Sequence, residues 1–154
     1  MSPVVLQGKG LVRGRGRGPA MVTRQPVNFT AAMTKVPNML PSRRAEICDR
    51  HHELHGRNVA GQMLVFPSCI GSTHTGLVLL ELVASGAGPA GLLVQAGDSL
   101  LVSGVVLSDV WFDRVIPIVE YAGGDLFDRI ADGMTVELDG TTGAITIDKV
   151  CPGP

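Results

Sequence analysis

The chain has 154 residues, of which 45% are apolar, 18% charged and 4% aromatic, and its formal net charge is −1. This length predicts one domain with a core of aliphatic side chains, and so small a net charge provides no field that would attract nucleic acid. No apolar run is long enough to span a bilayer, and the first residues lack the apolar segment of a secretory signal. We therefore expect a cytoplasmic protein that binds neither membrane nor nucleic acid.

The cysteines give no sign of a disulfide framework. Cys48, Cys69 and Cys151 are odd in number and show no Cys-x-x-Cys spacing. The pattern predicts reduced thiols, and it predicts no metal or iron–sulfur site formed by this chain alone.

The first 23 residues combine apolar and glycine-rich segments. Val4–Leu6 opens a strand, and Arg13–Gly18 alternates arginine with glycine before a second strand at Pro19–Thr23. Alternating Arg-Gly runs also occur in RNA-binding tails, but such tails are long and repetitive. Since this run passes directly into a strand, we predict a glycine-rich β-hairpin whose arginines face solvent.

The stretch from Gln25 to Arg50 is the least regular part of the chain. Pro26, Pro37 and Pro41 exclude a long helix, and the apolar residues follow no fixed period. A helical turn is expected only at Ser42–Glu46. We interpret the stretch as an extended, partly covered segment that contacts a partner or closes over a ligand.

Three of the four histidines lie in His51–His55. On a helix, His51 and His55 would share a face, as zinc ligands do. Gly56 follows at once, however, and no third ligand is evident. We predict a turn leading into a strand over Asn58–Phe66 rather than a metal site.

The most distinctive stretch is a buried strand, a polar loop and a buried helix. The strand at Met63–Phe66 ends at Pro67, and the loop Ser68–Thr75 leads into a helix over Thr75–Ser85 that carries one charge. Small polar residues between two buried elements indicate a site. The alternative is that the hydroxyl residues of the loop only cap the helix: Ser72, Thr73 and Thr75.

The second half continues as a parallel unit and ends in a hairpin. We predict a strand at Pro89–Gln95, a short helix at Ser99–Ser108, a strand at Val115–Val119 and a helical turn at Leu126–Ile130. Strand, helix and strand in this order form a right-handed, parallel βαβ unit. The terminal hairpin pairs two alternating segments around an Asp-Gly turn, Met134–Leu138 and Ala144–Ile147.

These features together resemble the swivelling domain, or small subunit, of the aconitase X family. The resemblance extends from about Leu6 to Val119, and its most specific segments are VAGQMLVFPSCIGSTHTGLVLLELVASGAGPAGLLVQ and SGVVLSDVWFDRVIPIV. Two positions depart from the family pattern: Cys69 replaces a glycine, and Val27–Ala32 replaces an aromatic-Gly-Gly element. Both departures leave the substrate open.

The resemblance implies an α/β fold, an aconitase-like swivelling β/β/α domain in which glycine-rich hairpins flank a βαβ unit. It implies one domain, residues 1–154, that docks as the small subunit on a large subunit carrying an iron–sulfur cluster. The family dehydrates hydroxy-acids, so the expected activity is that of a hydro-lyase (carbon–oxygen lyase) that needs both subunits.

The resemblance also implies that the small subunit contributes a serine that acts as base, and the matching residue is Ser72. A serine alkoxide needs stabilisation, which the N-terminus of the following helix can supply. Ser68 is the rival for this role. The substrate-binding candidates are Ser68, Gly71, Thr73 and His74, although Thr73 and His74 could instead cap or pack.

Two substrates and one other class of function remain open. The expected reaction converts cis-3-hydroxy-L-proline to a pyrroline-2-carboxylate, and the alternative enzyme is a phosphomevalonate dehydratase. A non-catalytic or phosphotransfer-type swivelling module is the third possibility, because His74 lies in a Ser-Thr-His-Thr-Gly loop.

Overall fold

The computed structural model of the chain describes residues 2–33, 45–71 and 73–148. Within these ranges the chain forms eight strands and four helices. The strands are β1 (Val4–Gln7), β2 (Lys9–Val12), β3 (Arg15–Val22), β4 (Met63–Phe66), β5 (Gly91–Val94), β6 (Ile118–Glu120), β7 (Thr135–Asp139) and β8 (Ala144–Asp148). The helices are α1 (Phe29–Met33), α2 (Thr75–Ala84), α3 (Ser99–Phe112) and α4 (Leu126–Arg129). None of these helices is long and apolar enough to cross a membrane.

The strands form one mixed sheet in the order β1-β8-β7-β3-β4-β5-β6-β2. Its two end strands are halves of one stretch, because only Gly8 separates β1 from β2. β1 pairs antiparallel with β8, and β2 pairs antiparallel with β6. The sheet therefore curves so that one continuous stretch of chain forms both of its edge strands. A Cβ at Gly8 would lie 2.7 Å from the carbonyl oxygen of Glu120, which is closer than side chains pack. The bend therefore requires glycine.

The predicted opening strands exist, but their pairing as a hairpin is wrong. β2 pairs with β6, whereas β3 pairs parallel with β4 and antiparallel with β7. The glycines serve close packing instead of a turn, since a Cβ at Gly16 would overlap the carbonyl group of Ala90.

The arginines of this region face solvent, as predicted. Each forms an ion pair with a carboxylate far along the chain: Arg13 with Asp109 at 2.7 Å, Arg15 with Asp139 at 3.1 Å and Arg17 with Asp148 at 2.6 Å. These pairs join the arginines to the sheet and to α3 of the folded domain, which is not typical of an RNA-binding tail.

The predicted parallel βαβ unit is confirmed, and with it the α/β class. β3, β4, β5 and β6 run parallel, with Leu64 beside Leu92 and Leu93 beside Val119. β4 is buried along its whole length because its side chains alternate between two clusters. Leu64 and Phe66 pack in the cluster beneath α2 and α3, whereas Met63 and Val65 pack in the cluster against β7 and β8.

Helices α2 and α3 pack side by side, and Gly76 of α2 lies directly against Gly104 of α3. A Cβ at Gly104 would overlap the carbonyl oxygen of Gly76. The prediction that α2 is covered on nearly all sides is wrong, because Leu77 is 61% exposed and Glu81 is also exposed.

Several element boundaries differ from the prediction for identifiable reasons. α3 continues to Phe112, and Asp113 ends it in the left-handed conformation (φ 53°). β6 begins only after Pro117, which has no N–H to donate to a ladder. The strand expected from Asn58 starts at Met63, and Asn58 forms only an isolated bridge with Glu46. The terminal hairpin of β7 and β8 is confirmed.

The irregular stretch after β3 has no long helix among its described residues, but its apolar side chains are not exposed. Val27, Phe29, Met33 and Ile47 are buried in the chain's own core. The Phe29 ring stands edge-on to the ring of Phe66 at 5.8 Å. The expectation of an apolar interface strip is therefore wrong for these residues. Residues 34–44, with most of the expected turn at Ser42–Glu46, lie outside the described part.

Because Phe29 joins this stretch to the end of β4, its side chain should matter greatly for stability. We expect Phe29→Ala to lower the free energy of unfolding by about 3–5 kcal/mol, as is usual for a buried phenylalanine. Urea denaturation measures the change. Leu77→Ala is the control, since an exposed side chain should change stability by less than about 0.5 kcal/mol. Equal effects of the two substitutions would contradict the described packing.

Candidate functional site

The loop predicted to form a site lies at the carboxyl edge of the parallel strands. β3, β4, β5 and β6 end at this edge, and in α/β sheets ligands bind outside it. Backbone hydrogen bonds join the segments that follow the strands: the Ala96 N–H donates to the Pro67 carbonyl at 3.0 Å, and the Tyr121 N–H to the Val94 carbonyl at 2.8 Å. The backbone at the start of the polar loop after β4 is therefore held by hydrogen bonds.

Backbone hydrogen bonds to Val27 hold the first half of the loop in place. The Val27 N–H donates to the Ser68 carbonyl at 3.0 Å, and the Ile70 N–H donates to the Val27 carbonyl at 3.0 Å. These two bonds form a parallel bridge between Val27 and Cys69. Since Val27 is buried, the positions of Ser68–Ile70 are fixed by the core.

Gly71 is required for two separate reasons. Its φ of +95° lies in the left-handed region, where residues with a Cβ are strained. A Cβ there would also overlap Nδ2 of Asn28 and lie 2.8 Å from its Cγ. The sequence analysis named Gly71 as a substrate-binding candidate, and the structure adds that Asn28 is its close neighbour.

The structure places the described candidates in one continuous loop. Ser68 is half-buried at the end of β4, while Gly71, Thr73 and His74 are exposed. Ser72, the candidate base, lies outside the described residues, so its environment is given only by Gly71 and Thr73 on either side.

The proposed capping role of the hydroxyl residues is not what the structure shows at the described positions. His74 occupies the N-cap position of α2, with helical backbone angles and no capping hydrogen bond from its side chain. Thr75 is the first residue of the helix and is buried. The first turn of α2 contains no acidic residue, so its N–H groups leave a positive end that can attract an anion.

Cys69 lies in the loop but is not a reactive thiol. Burial, together with the negative charge of Asp98, raises the pKa of the Cys69 thiol to about 12. The thiol is therefore protonated at neutral pH, and only the thiolate is a strong nucleophile or metal ligand.

Metal binding finds no support in the part of the chain that the structure describes. No three His, Cys, Asp or Glu side chains there could hold a metal ion together. The histidine segment forms turns, and the His52 Nδ1 accepts the Leu54 N–H at 3.1 Å. Cys48 and Cys69 do not form a ligand set for an iron–sulfur cluster, and Cys151 lies outside the described residues.

Two residues at this edge were missed by the sequence analysis. Glu120 is the last residue of β6, and its Oε2 accepts the Gly97 N–H at 2.9 Å. Asn28 contacts Gly71 from a distant part of the chain. Glu120 could have been predicted from sequence, because an acidic residue stands at the end of a buried strand. Asn28 could not, because its contact with Gly71 depends on the fold.

Comparison with known proteins agrees with this geometry. Residues 5–147 match the family described as "Aconitase X swivel domain". The chain is 28% identical over 133 residues to the phosphomevalonate dehydratase small subunit of Methanothermobacter thermautotrophicus, covering 86% of this chain and 92% of that protein. It is 39% identical over 89 residues to the cis-3-hydroxy-L-proline dehydratase of Pseudomonas aeruginosa, covering 58% of this chain and 15% of that protein.

A solved structure gives the same result for the fold. The crystal structure of Thermococcus kodakaraensis aconitase X in its holo-form superposes with a TM-score of 0.78 at 25% identity, covering 95% of this chain and 99% of that chain. The resemblance drawn from the sequence is confirmed, and the chain belongs to the aconitase X swivel domain family.

Proposed function

We propose that the chain, as one swivelling domain over residues 1–154, is the small subunit of a hydro-lyase that dehydrates a hydroxy-acid. The observation that carries this proposal is the family match over residues 5–147. Relatives matched over nearly their full length are named as dehydratase small subunits. The polar loop at the carboxyl edge of the sheet supplies a suitable place for the chemistry.

In the proposed reaction, Ser72 in its alkoxide form takes a proton from the substrate carbon next to the carboxylate. The C–H electron pair forms the new C=C bond, and the hydroxyl group leaves the neighbouring carbon. The proton that Ser72 accepted balances the proton that the hydroxyl group takes up, so water is released and the Ser72 alkoxide is restored. A serine alkoxide is stabilised by nearby positive charge, and α2, whose N-terminus is positive, begins only three residues after Ser72. Ser68 remains the rival base because only Pro67 separates it from the end of β4.

The same helix end supports binding of the substrate as an anion. Gly71, Thr73 and His74 are exposed around Ser72, and backbone N–H groups at a helix N-terminus favour a carboxylate. A bound carboxylate would hold the acidic C–H near the base.

For the substrate we favour cis-3-hydroxy-L-proline, with phosphomevalonate as the alternative. The 39% identity to a cis-3-hydroxy-L-proline dehydratase supports the first. The near-complete coverage of archaeal phosphomevalonate dehydratase small subunits supports the second. Turnover of the assembled enzyme on both compounds separates them.

The iron–sulfur cluster and most of the substrate contacts belong, in this proposal, to a large subunit. The described part of this chain contains no group of cysteines that could ligate a cluster. A cluster held by the large subunit agrees with this. The isolated chain should accordingly fold but show no turnover.

The surface next to the loop supports docking of a large subunit. We define the apolar face as the exposed apolar residues of the loop and of α2 and α3: Ile70, Leu77, Leu100, Val106, Val110, Trp111 and Phe112. The charged residue of α3, Asp109, is paired with Arg13. A helix that is apolar on all sides is normally buried, yet Val110 is 71% and Trp111 61% exposed.

Part of the apolar face adjoins the mouth of the loop. Ile70 lies within the loop, Leu77 lies one turn beyond His74, and a Cβ on Gly76 would lie 3.1 Å from the Leu100 carbonyl oxygen. Val110, Trp111 and Phe112 lie at the other end of α3, so a subunit that covers them as well as the loop must extend along the whole helix. This position differs from the stretch after β3 that the sequence analysis expected.

The first test of this function is Ser72→Ala in the assembled enzyme. If Ser72 is the base, turnover should fall about 10²–10⁴-fold, while the Kd for the large subunit and the KM change little. Steady-state kinetics on cis-3-hydroxy-L-proline and phosphomevalonate measure this.

Ser68→Ala is the matched control for that experiment. Only the base should lose turnover while retaining assembly. A Ser72→Ala enzyme with nearly normal turnover would reject the assignment. A loss confined to Ser68→Ala would transfer the role to Ser68.

The second test concerns the apolar face. We expect Val110→Lys to weaken binding of the large subunit about tenfold or more, because a buried lysine would lose its hydration (a tenfold change is about 1.4 kcal/mol). Titration calorimetry with the purified large subunit gives the Kd.

Val5→Lys is the control, since Val5 on β1 is similarly exposed (61%) but lies outside the apolar face. Equal affinities for the two variants would show that the large subunit does not cover Val110. If the chain instead forms dimers that Val110→Lys dissociates, the apolar face joins two copies of this chain.

A further inference from the structure

Asn28 connects helix α1 to the polar loop through its side chain. Its Oδ1 accepts the N–H of Ala31 at 3.1 Å, and its carbonyl accepts the N–H of Ala32 at 2.8 Å. Asn28 is therefore the N-cap of α1. Only the amide oxygen can accept the Ala31 N–H, so the orientation of the side-chain amide is fixed.

With Oδ1 held by α1, Nδ2 is the part of the amide that faces the loop. Of the three Asn28 atoms near the Cβ position of Gly71, Nδ2 is the closest, ahead of Cγ at 2.8 Å and Oδ1 at 3.1 Å. Gly71 directly precedes Ser72 in the chain. The amide thus packs against the residue that precedes Ser72.

The backbone on both sides of Asn28 cannot move easily. Val27 and Phe29 are buried, Val27 is hydrogen-bonded to Ser68 and Ile70, and Phe29 packs on Phe66 at the end of β4. Asn28 is half-buried between them. Its amide is consequently a rigid support for a backbone position that has a φ of +95°.

We propose that Asn28 is a positioning residue for the reaction. It fixes the backbone of Gly71, the residue that directly precedes Ser72 in the chain. An uncharged amide N–H is suited to this place because an alkoxide and a substrate anion are expected close by, where a carboxylate would repel both. This inference rests on the proposed function for its effect on catalysis, but not for its effect on the loop.

The alternative is that Asn28 only caps α1, and Asn28→Asp separates the two roles. Aspartate has the same size and caps a helix as well as asparagine. It keeps an oxygen for the Ala31 N–H, but it places a negative oxygen where Nδ2 faces Gly71. A capping residue tolerates this change, whereas a positioning residue does not.

The first measurement is amide hydrogen exchange on the isolated chain. The Ile70 N–H, bonded to Val27, reports on the loop, and the Ala31 N–H reports on the cap of α1. In Asn28→Asp we expect exchange at Ile70 to become at least severalfold faster while exchange at Ala31 is unchanged. Unchanged exchange at Ile70 would overturn the positioning role whether or not the protein is a dehydratase.

The second measurement is turnover by the complex of both subunits. A small misplacement of a catalytic group can cost about 10²-fold in rate, so we expect kcat of Asn28→Asp to fall by about that factor while the Kd for the large subunit is unchanged. An active wild-type complex with an equally active variant would reject the role of Asn28. A wild-type complex inactive on all hydroxy-acids would reject the proposed function, and the exchange result would still decide the role of Asn28 in the loop.

Asn58→Asp is the matched control in both measurements. The Asn58 Oδ1 also accepts a backbone N–H, that of Ala60 at 2.9 Å, but Asn58 is exposed and precedes β4. The same chemical change there should alter neither exchange at Ile70 nor kcat. A loss equal to that of Asn28→Asp would show that added charge alone causes the effect.

Discussion

Burial of β4 on both of its faces is the constraint on which the rest of the structure depends. Met63 and Val65 face one cluster while Leu64 and Phe66 face the other, so each side of this strand needs its own cover. Helices α2 and α3 cover one side, and the sheet curving through β7 and β8 covers the other. The end of β4 is thereby packed on both faces, and the loop that follows it starts from a buried strand.

The parts of the fold that were predictable from sequence are those set by neighbouring residues. The βαβ unit and the terminal hairpin are local, and each carries its own period and turn signals. The pairing of β1 and β2 was not predictable in this way, because their partners lie more than a hundred residues away in β8 and β6. The glycines that suggested a hairpin serve instead as points where one backbone crosses closely over another.

The candidate site shows the same division between local features, which the sequence reveals, and contacts that depend on the fold. The sequence located the loop and its exposed members, Gly71, Thr73 and His74, because small polar residues between two apolar segments are a local signal. It did not reveal Asn28, whose contact with Gly71 exists only once Val27 has paired with the loop. The prediction for the stretch after β3 was also wrong. Apolar residues without a regular period suggested an exposed segment, whereas Phe29 and Ile47 are buried.

The stretch that bends at Gly8 has a consequence for how the molecule meets other chains. By pairing with both β8 and β6, it leaves β1 and β2 as the end strands of the sheet in the described part of the chain, and each has four residues. Edge strands this short are poor templates for strand addition, the process by which exposed sheet edges bind peptides or aggregate. We therefore expect partners to contact side chains of this protein and not to add a strand to its sheet.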